Sequence, residues 1–163
     1  MANTADPRTE AQVHGRASVT INRLMDAPVE LMWKVWTEAE HLKAWWGPAV
    51  FTNPVCEVDL RVGGRMHIIM RAPDGFEHAA DAVFEEIDPP HRLVWSMDAV
   101  SLTGDTLLKT RTTITMKDEG GKTRLIIISE AYGLVPEAVQ MLAGMDAGWN
   151  QSIDKLAAHI AAA

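Results

Sequence analysis

Apolar and polar residues alternate along Ala17–Met25 ("ASVTINRLM"), the two-residue period of a half-buried strand. The period then changes. "DAPVELMWKVW" offers Asp26 as a helix N-cap and Pro28 in the first turn, so a short helix should run to about Thr37. "AEHLKAWW" reads as a second helix, stopped by Gly47-Pro48. Six strand-like runs follow, roughly Val50–Leu60, Arg65–Arg71, Glu77–Ile87, Arg92–Met97, Thr106–Met116 and Thr123–Ala131. They are separated by "VGG", "APDG", "DPP" and "DEGG" turns. Gly133 closes this region and Pro136 begins a long helix. Ala138, Leu142, Met145, Trp149, Ile153, Leu156 and Ile160 recur on it at three- and four-residue intervals.

The order is therefore one strand, two short helices, six strands and one long helix. An antiparallel meander cannot cover its own inner face, and the amphipathic C-terminal helix is the natural cover. The expected architecture is α+β, a curved seven-stranded antiparallel sheet wrapped around that helix. Strand registers follow from keeping the faces apart. Pairing Arg71 with Glu77 sets His67 against Asp81 on the outside. It sets Met66 against Ala82, Ile68 against Ala80 and Met70 against His78 on the inside. Phe84 should face Trp95, and Ala82 should also face Met97. Around "DEGG", Met116 is expected opposite Thr123, Ile114 opposite Leu125, Thr112 opposite Ile127 and Thr110 opposite Ser129.

Composition narrows the function classes. The 163 residues suit a single domain with a sizeable core, read as 15–163 behind a flexible arm over 1–14. A formal net charge of −7 argues against binding to nucleic-acid phosphates and to anionic membrane surfaces. No apolar run is long enough to span a bilayer, and Met1–Gln12 lacks the apolar segment of a signal peptide. The only cysteine, Cys56, forms no intrachain disulfide or thiolate metal site and fits a reducing cytoplasm.

Candidate chemistry is sparse. His78 is a polar residue on an otherwise apolar inner face. It either orients a ligand or moves a proton there, or it is a strand-end histidine bonded to backbone or water. His67 and Asp81 face each other outside the sheet without a third metal ligand. Ser96, Ser129 and Ser152 lack an adjacent base or nucleophile elbow. "RVGGR" lacks the strand-to-helix context of a phosphate loop and reads as a tight turn. No cofactor is expected. Adjacent helical residues lie about 100° apart, so neighbours such as Trp45 and Trp46 rarely face the same core. Trp46 can share a face with Leu42. Either one tryptophan anchors the core while the other faces a cavity or its rim near Trp36, or both weld the short helices to the sheet. The inner face mixes methionines and tryptophans with alanines and threonines, a combination that can interdigitate into a solid core or enclose a cavity. Composition alone favours the solid core.

"APVELMWKVWTEAEHLKAWWGP", "EVDLRVGGRM", "APDG", "FEEIDPPHRLVW", "GGKTRL" and "GWNQSIDKLAAHIA" occur in this order from about Ala17 to Ile160. The series resembles the SRPBCC (START-like) superfamily, specifically the family named after the C-terminal domain of the activator of heat-shock protein 90 ATPase. The resemblance implies a helix-grip fold, with a cavity between sheet and long helix. Two departures touch that cavity: Ala82 stands where the family usually has glycine, and Met66 where it often has an aromatic residue. The eukaryotic activators carry a further N-terminal domain that docks on the chaperone, and no segment of this chain is expected to correspond to it.

On that reading the cavity wall is expected to comprise Met66, Ile68 and Met70, then His78 and Ala80, then Trp95 and Met97. Thr112, Ile114, Ile127 and Tyr132 follow from the last two strands, with Met141, Met145 and Trp149 from the C-terminal helix, and Trp36 and Trp46 from the short helices. Glu130 is expected near the mouth but facing outward. The expected partner is a hydrophobic or amphipathic small molecule. A cyclase-, aromatase- or hydratase-type enzyme would need a polar pair, for which only His78 with Tyr132 or Thr112 offers itself. A chaperone-associated module is the third reading. Families of this kind are often dimeric, which leaves a homodimer open.

Overall fold

The computed structural model describes residues 14–101 and 103–163. The elements are β1 (Arg16–Met25), α1 (Val29–Thr37), α2 (Ala39–Trp45), β2 (Thr52–Val58), β3 (Arg65–Arg71), β4 (Glu77–Asp88), β5 (Arg92–Ser101), β6 (Thr106–Glu119), β7 (Lys122–Gly133), α3 (Ala138–Ala143) and α4 (Met145–Ala161). The seven strands form one sheet in the order β1-β7-β6-β5-β4-β3-β2. Every neighbouring pair is antiparallel. The N-terminal arm lies outside the described residues apart from His14, whose N–H donates to the Gly133 carbonyl at 2.9 Å.

Period-two burial sets the inner face. Met66, Ile68 and Met70 of β3 are buried while Arg65 and Arg71 are exposed, and Leu125, Ile127 and Ser129 of β7 alternate with Ile128 and Glu130 outside. Against the inner face α4 presses Ile153, Leu156 and Ile160, and α1 presses Met32, Val35 and Trp36. All belong to one continuous core. The β3–β4 register is the expected one throughout, Arg71 opposite Glu77 and Met70 opposite His78. Phe84 faces Trp95, and Ala82 faces both Met66 and Met97.

Three details differ from the sequence reading. The β6–β7 hairpin is tighter than expected and slides by two residues. Met116 faces Leu125, Ile114 faces Ile127, Thr112 faces Ser129 and Thr110 faces Ala131. The cause is the turn: Gly120 and Gly121 both adopt positive φ (68° and 90°), so a two-residue connection suffices and Glu119 pairs with Lys122. A slip of two preserves which face each side chain occupies. The long C-terminal helix is two helices meeting at Gly144, whose φ of −89° and ψ of −1° leave the regular helical path. The Gly144 N–H still reaches the Gln140 carbonyl at 3.1 Å. Finally, α1 is not capped by Asp26. Pro28 occupies the cap position without a side-chain hydrogen bond. The entry is fixed from the sheet instead, by the Thr123 hydroxyl donating to the Ala27 carbonyl at 2.8 Å.

Two glycines separate a required from a replaceable one. A Cβ on Gly64, in the tight turn before β3, would sit 2.2 Å from the Asp59 carbonyl oxygen. A Cβ on Gly148, inside α4, would meet only Pro48 Cγ at 3.5 Å, an ordinary contact. Gly64→Ala is expected to lower unfolding free energy by ~1–3 kcal/mol, an overpacking effect. Gly148→Ala should raise it by about 0.5–1 kcal/mol through helix propensity. Urea denaturation of both variants checks the opposite signs.

Candidate functional site

The sheet is wider than the helices that cover it, and the two ends of its concavity are filled differently. At one end the large residues meet. Trp36, Trp45, Trp95, Phe84, Met66, Ile68 and Ile114 are all essentially inaccessible. Trp36 contacts Trp45 edge-on, with ring centroids 4.7 Å apart, and lies 6.1 Å from Trp95. At the other end the inner face carries Ala80, Ala99, Thr110, Thr112 and Ser129. The space above these small residues is a pocket of about 600 Å³ between the sheet, α3, the start of α4 and the loop after α2.

Its lining includes Trp46, Met70, His78, Ala80, Met97, Thr112, Met141, Met145 and Trp149 of the residues singled out in the sequence. Trp36, Met66, Ile68, Trp95, Ile114 and Ile127 do not reach it. They form the solid end of the core instead, because the α1–α2 pair fills that end with aromatic rings. Tyr132 is on the wrong face. It has the same strand parity as Glu130, so its side chain points outward. There the Arg16 guanidinium lies 5.7 Å from its ring centre. It lines a separate polar groove of about 720 Å³ with Lys109 and Asp98.

Trp45 and Trp46 divide roles, though not by helical geometry. α2 ends at Trp45, and Trp46 adopts an extended ψ of 141°. Trp45 is fully buried and its indole N–H donates to the Val35 carbonyl at 2.8 Å, fastening α2 to α1. Trp46 turns across the sheet, its ring centre 5.9 Å from Trp95 and 6.3 Å from Trp149. The expected shared face of Leu42 and Trp46 is therefore not formed by a helix. Both tryptophans touch the pocket, and together with Trp36, Trp95 and Trp149 they build the wall between its open and solid ends.

The loop Trp46–Phe51 roofs one side of the pocket. Gly47, with φ of 88°, lets it turn beside Met70. Lys155 of α4 donates to the carbonyls of Trp46, Pro48 and Phe51, each at 3.2 Å, and Gln151 Oε1 accepts the Ala49 N–H at 3.1 Å. Asn53 Nδ2 donates to the Trp46 and Lys43 carbonyls. Burial pushes the Lys155 ammonium below the usual lysine range. Sequence pattern could not find this clamp, because its acceptors are backbone atoms 104–109 positions away.

His78 sits at the rim, its ring centre 5.9 Å from that of Phe51 and 6.0 Å from that of Phe76. Phe76 itself is 58% exposed. Nδ1 of His78 is buried without a hydrogen-bond partner, and burial pushes the imidazole pKa below 6.5. Thr112 and Ser129 hydroxyls bond each other at 2.8 Å. Among the described residues no group of three potential ligands could hold a metal ion. His67 and Asp81 pair on the outer face, as their register requires. Cys56, half-buried on β2, has its thiol pKa pushed up to about 11 by burial. The sequence also concealed His41 and His159, 118 positions apart, whose Nδ1 and Nε2 share a hydrogen bond at 2.8 Å joining α2 to α4.

Burial lowers the pKa of both His78 and His159, the latter also through His41. Below pH 6.5 the unfolded chain therefore binds protons that the folded chain resists. Stability should fall with pH from about 6.5 downward through the folded-state values. Thermal melts from pH 8 to 5 on wild type, His78→Phe and His159→Phe check this. Each substitution should flatten part of the acid limb, and unchanged limbs in both would refute the assignment.

A family model for "Activator of Hsp90 ATPase homolog 1-like protein" matches residues 26–161. A protein from Arthrobacter aurescens solved by solution NMR is 27% identical. The match covers 90% of this chain and 87% of that one, with a TM-score of 0.78. Protein CV1439 from Chromobacterium violaceum is 26% identical over 86% of this chain and 94% of its own, with a TM-score of 0.71. The AHSA1 protein (SPO3351) from Silicibacter pomeroyi shares the fold at 19% identity, 89% and 98% coverage and a TM-score of 0.72. A comparison with curated proteins gave no match.

Proposed function

The chain belongs to the activator of Hsp90 ATPase homolog 1-like family of the SRPBCC superfamily, and from that premise we propose that it binds a hydrophobic or amphipathic small molecule between its sheet and its C-terminal helices. The observation that carries this reading is the pocket itself. About 600 Å³ of space lies beneath a lining dominated by Trp, Phe and Met side chains, with a few polar groups among them. Dimensions and composition of this kind are those of small-molecule sites. Methionines at positions 70, 97, 141 and 145 give the wall adaptable apolar surface. The glycines at 144 and 148 leave room beside the last two. The single cysteine is consistent with work in the cytoplasm.

An enzyme in the same cavity would need a proton donor or acceptor beside His78. Tyr132 is on the other face, the Thr112 and Ser129 hydroxyls are hydrogen-bonded to each other, and the one carboxyl in the lining, Glu137, is exposed at the mouth. Binding is therefore the better supported reading. Chaperone docking and a homodimer draw no specific support from the pocket.

Native mass spectrometry of freshly purified protein, set against its denatured mass, tests occupancy directly. Binding of the solvatochromic dye Nile red tests capacity. Ala80→Leu, which fills the pocket floor from β4, should weaken dye binding by about tenfold while leaving the fold intact. Equal binding by wild type and variant, or none by wild type, would remove the pocket from consideration.

A further inference from the structure

The pocket's polar groups carry information about charge. No Lys or Arg side chain among the described residues lines it, and the acidic side chain in its lining is Glu137, exposed at the α3 side of the mouth. Cations on the elements around it are engaged elsewhere. Lys155 spends its ammonium on three backbone carbonyls of the roof loop. Arg71 pairs with Glu77 at 2.5 Å, and Lys109 pairs with Asp98 at 2.9 Å, both outside the sheet. The start of α4 adds no free positive end. α3 runs into it, Gln140 takes the Gly144 N–H, and Asp146 occupies its first turn. A carboxylate or phosphate entering this space would lose its water and find no counter-charge among the described residues, only a like charge at the mouth.

Among the polar groups that line the pocket, His78 is the one with a buried side-chain nitrogen left without a partner. His78 makes no hydrogen bond through either ring nitrogen in the described structure, and it projects from β4 between Phe51 and Phe76 at the rim. A neutral imidazole both donates and accepts, so it can meet a hydroxyl or a carbonyl.

Resting on the ligand-binding reading above, we infer that the pocket selects uncharged molecules bearing one hydroxyl or carbonyl group, anchored on His78 at the rim, and rejects fatty-acid-like or phosphorylated anions of the same apolar size. His78 is on this inference the specificity-determining residue. The apolar body of the ligand lies inward against Met97, Met145 and Trp149, and its polar end lies at the Phe51–Phe76 rim.

Three probes with one ring system separate the terms: methylpyrene, pyrenemethanol and pyrenecarboxylate. Each is titrated at pH 8 into the full-length protein, with tryptophan-to-pyrene energy transfer as the readout. Pyrenemethanol should bind at least about tenfold more tightly than pyrenecarboxylate, the scale expected for an unpaired buried charge. His78→Phe keeps an aromatic ring but loses the hydrogen bond. It should weaken pyrenemethanol by roughly three- to tenfold and leave methylpyrene nearly unchanged. Carboxylate binding as tight as the alcohol overturns the charge selectivity. An equal loss of both neutral probes in His78→Phe overturns the anchor. Failure of all three probes to transfer energy overturns the binding reading itself, a result distinct from either. The wild-type probe series stands even if the variant is unstable.

Discussion

One helix cannot cover a seven-stranded sheet. The strands lie about 4.8 Å apart and span roughly 30 Å across the sheet, whereas a helix with its side chains is about 10 Å wide. The concave face must therefore be filled by more than α4, and everything distinctive about this chain follows from how that is done. The short helices α1 and α2 bring aromatic rings to one end, where Trp36, Trp45 and Trp95 close the gap by direct contact. At the other end α3 and the loop after α2 stand over small residues, and the gap stays open. Solid core and pocket are thus two outcomes of one shortage of cover.

The boundary between them is a wall of indoles. Trp149 on α4 stacks toward Trp36 on its solid side and touches Trp46 on its open side. Trp46 can reach that position only because α2 stops one residue earlier. Had the helix continued, its side chain would have followed Leu42 onto one face. The end of a helix, more than its interior, places the residue that separates packing from space.

That detail also shows where sequence reasoning reached its limit. Alternation and helical period located every strand and every main helical stripe, and charge pairing outside together with an apolar face inside gave the β3–β4 register, because those signals are local. The β6–β7 slip of two residues was hidden since it leaves inside and outside unchanged, and only the conformation of Gly120–Gly121 distinguishes the two pairings. The candidate lining was legible as an inner face but not as a pocket. Ile68 and Ala80 sit directly opposite each other in neighbouring strands, yet one is core and the other floor, a difference set by what lies above them. Tyr132 was misplaced by sequence proximity to the helix, although its parity with Glu130 already pointed it outward. The His41–His159 bond had no local signature at all.

The clamp from Lys155 carries one more consequence. It grips the roof loop only by main-chain oxygens, which every residue type supplies. The Pro48 and Phe51 side chains, which line the pocket, can therefore be exchanged without removing those three bonds, whereas Trp46 also packs on Trp149 and Gly47 needs its positive φ. The roof behaves as a socket with a fixed frame and interchangeable facing, so a lineage could retune what it accommodates while the scaffold beneath stays the same.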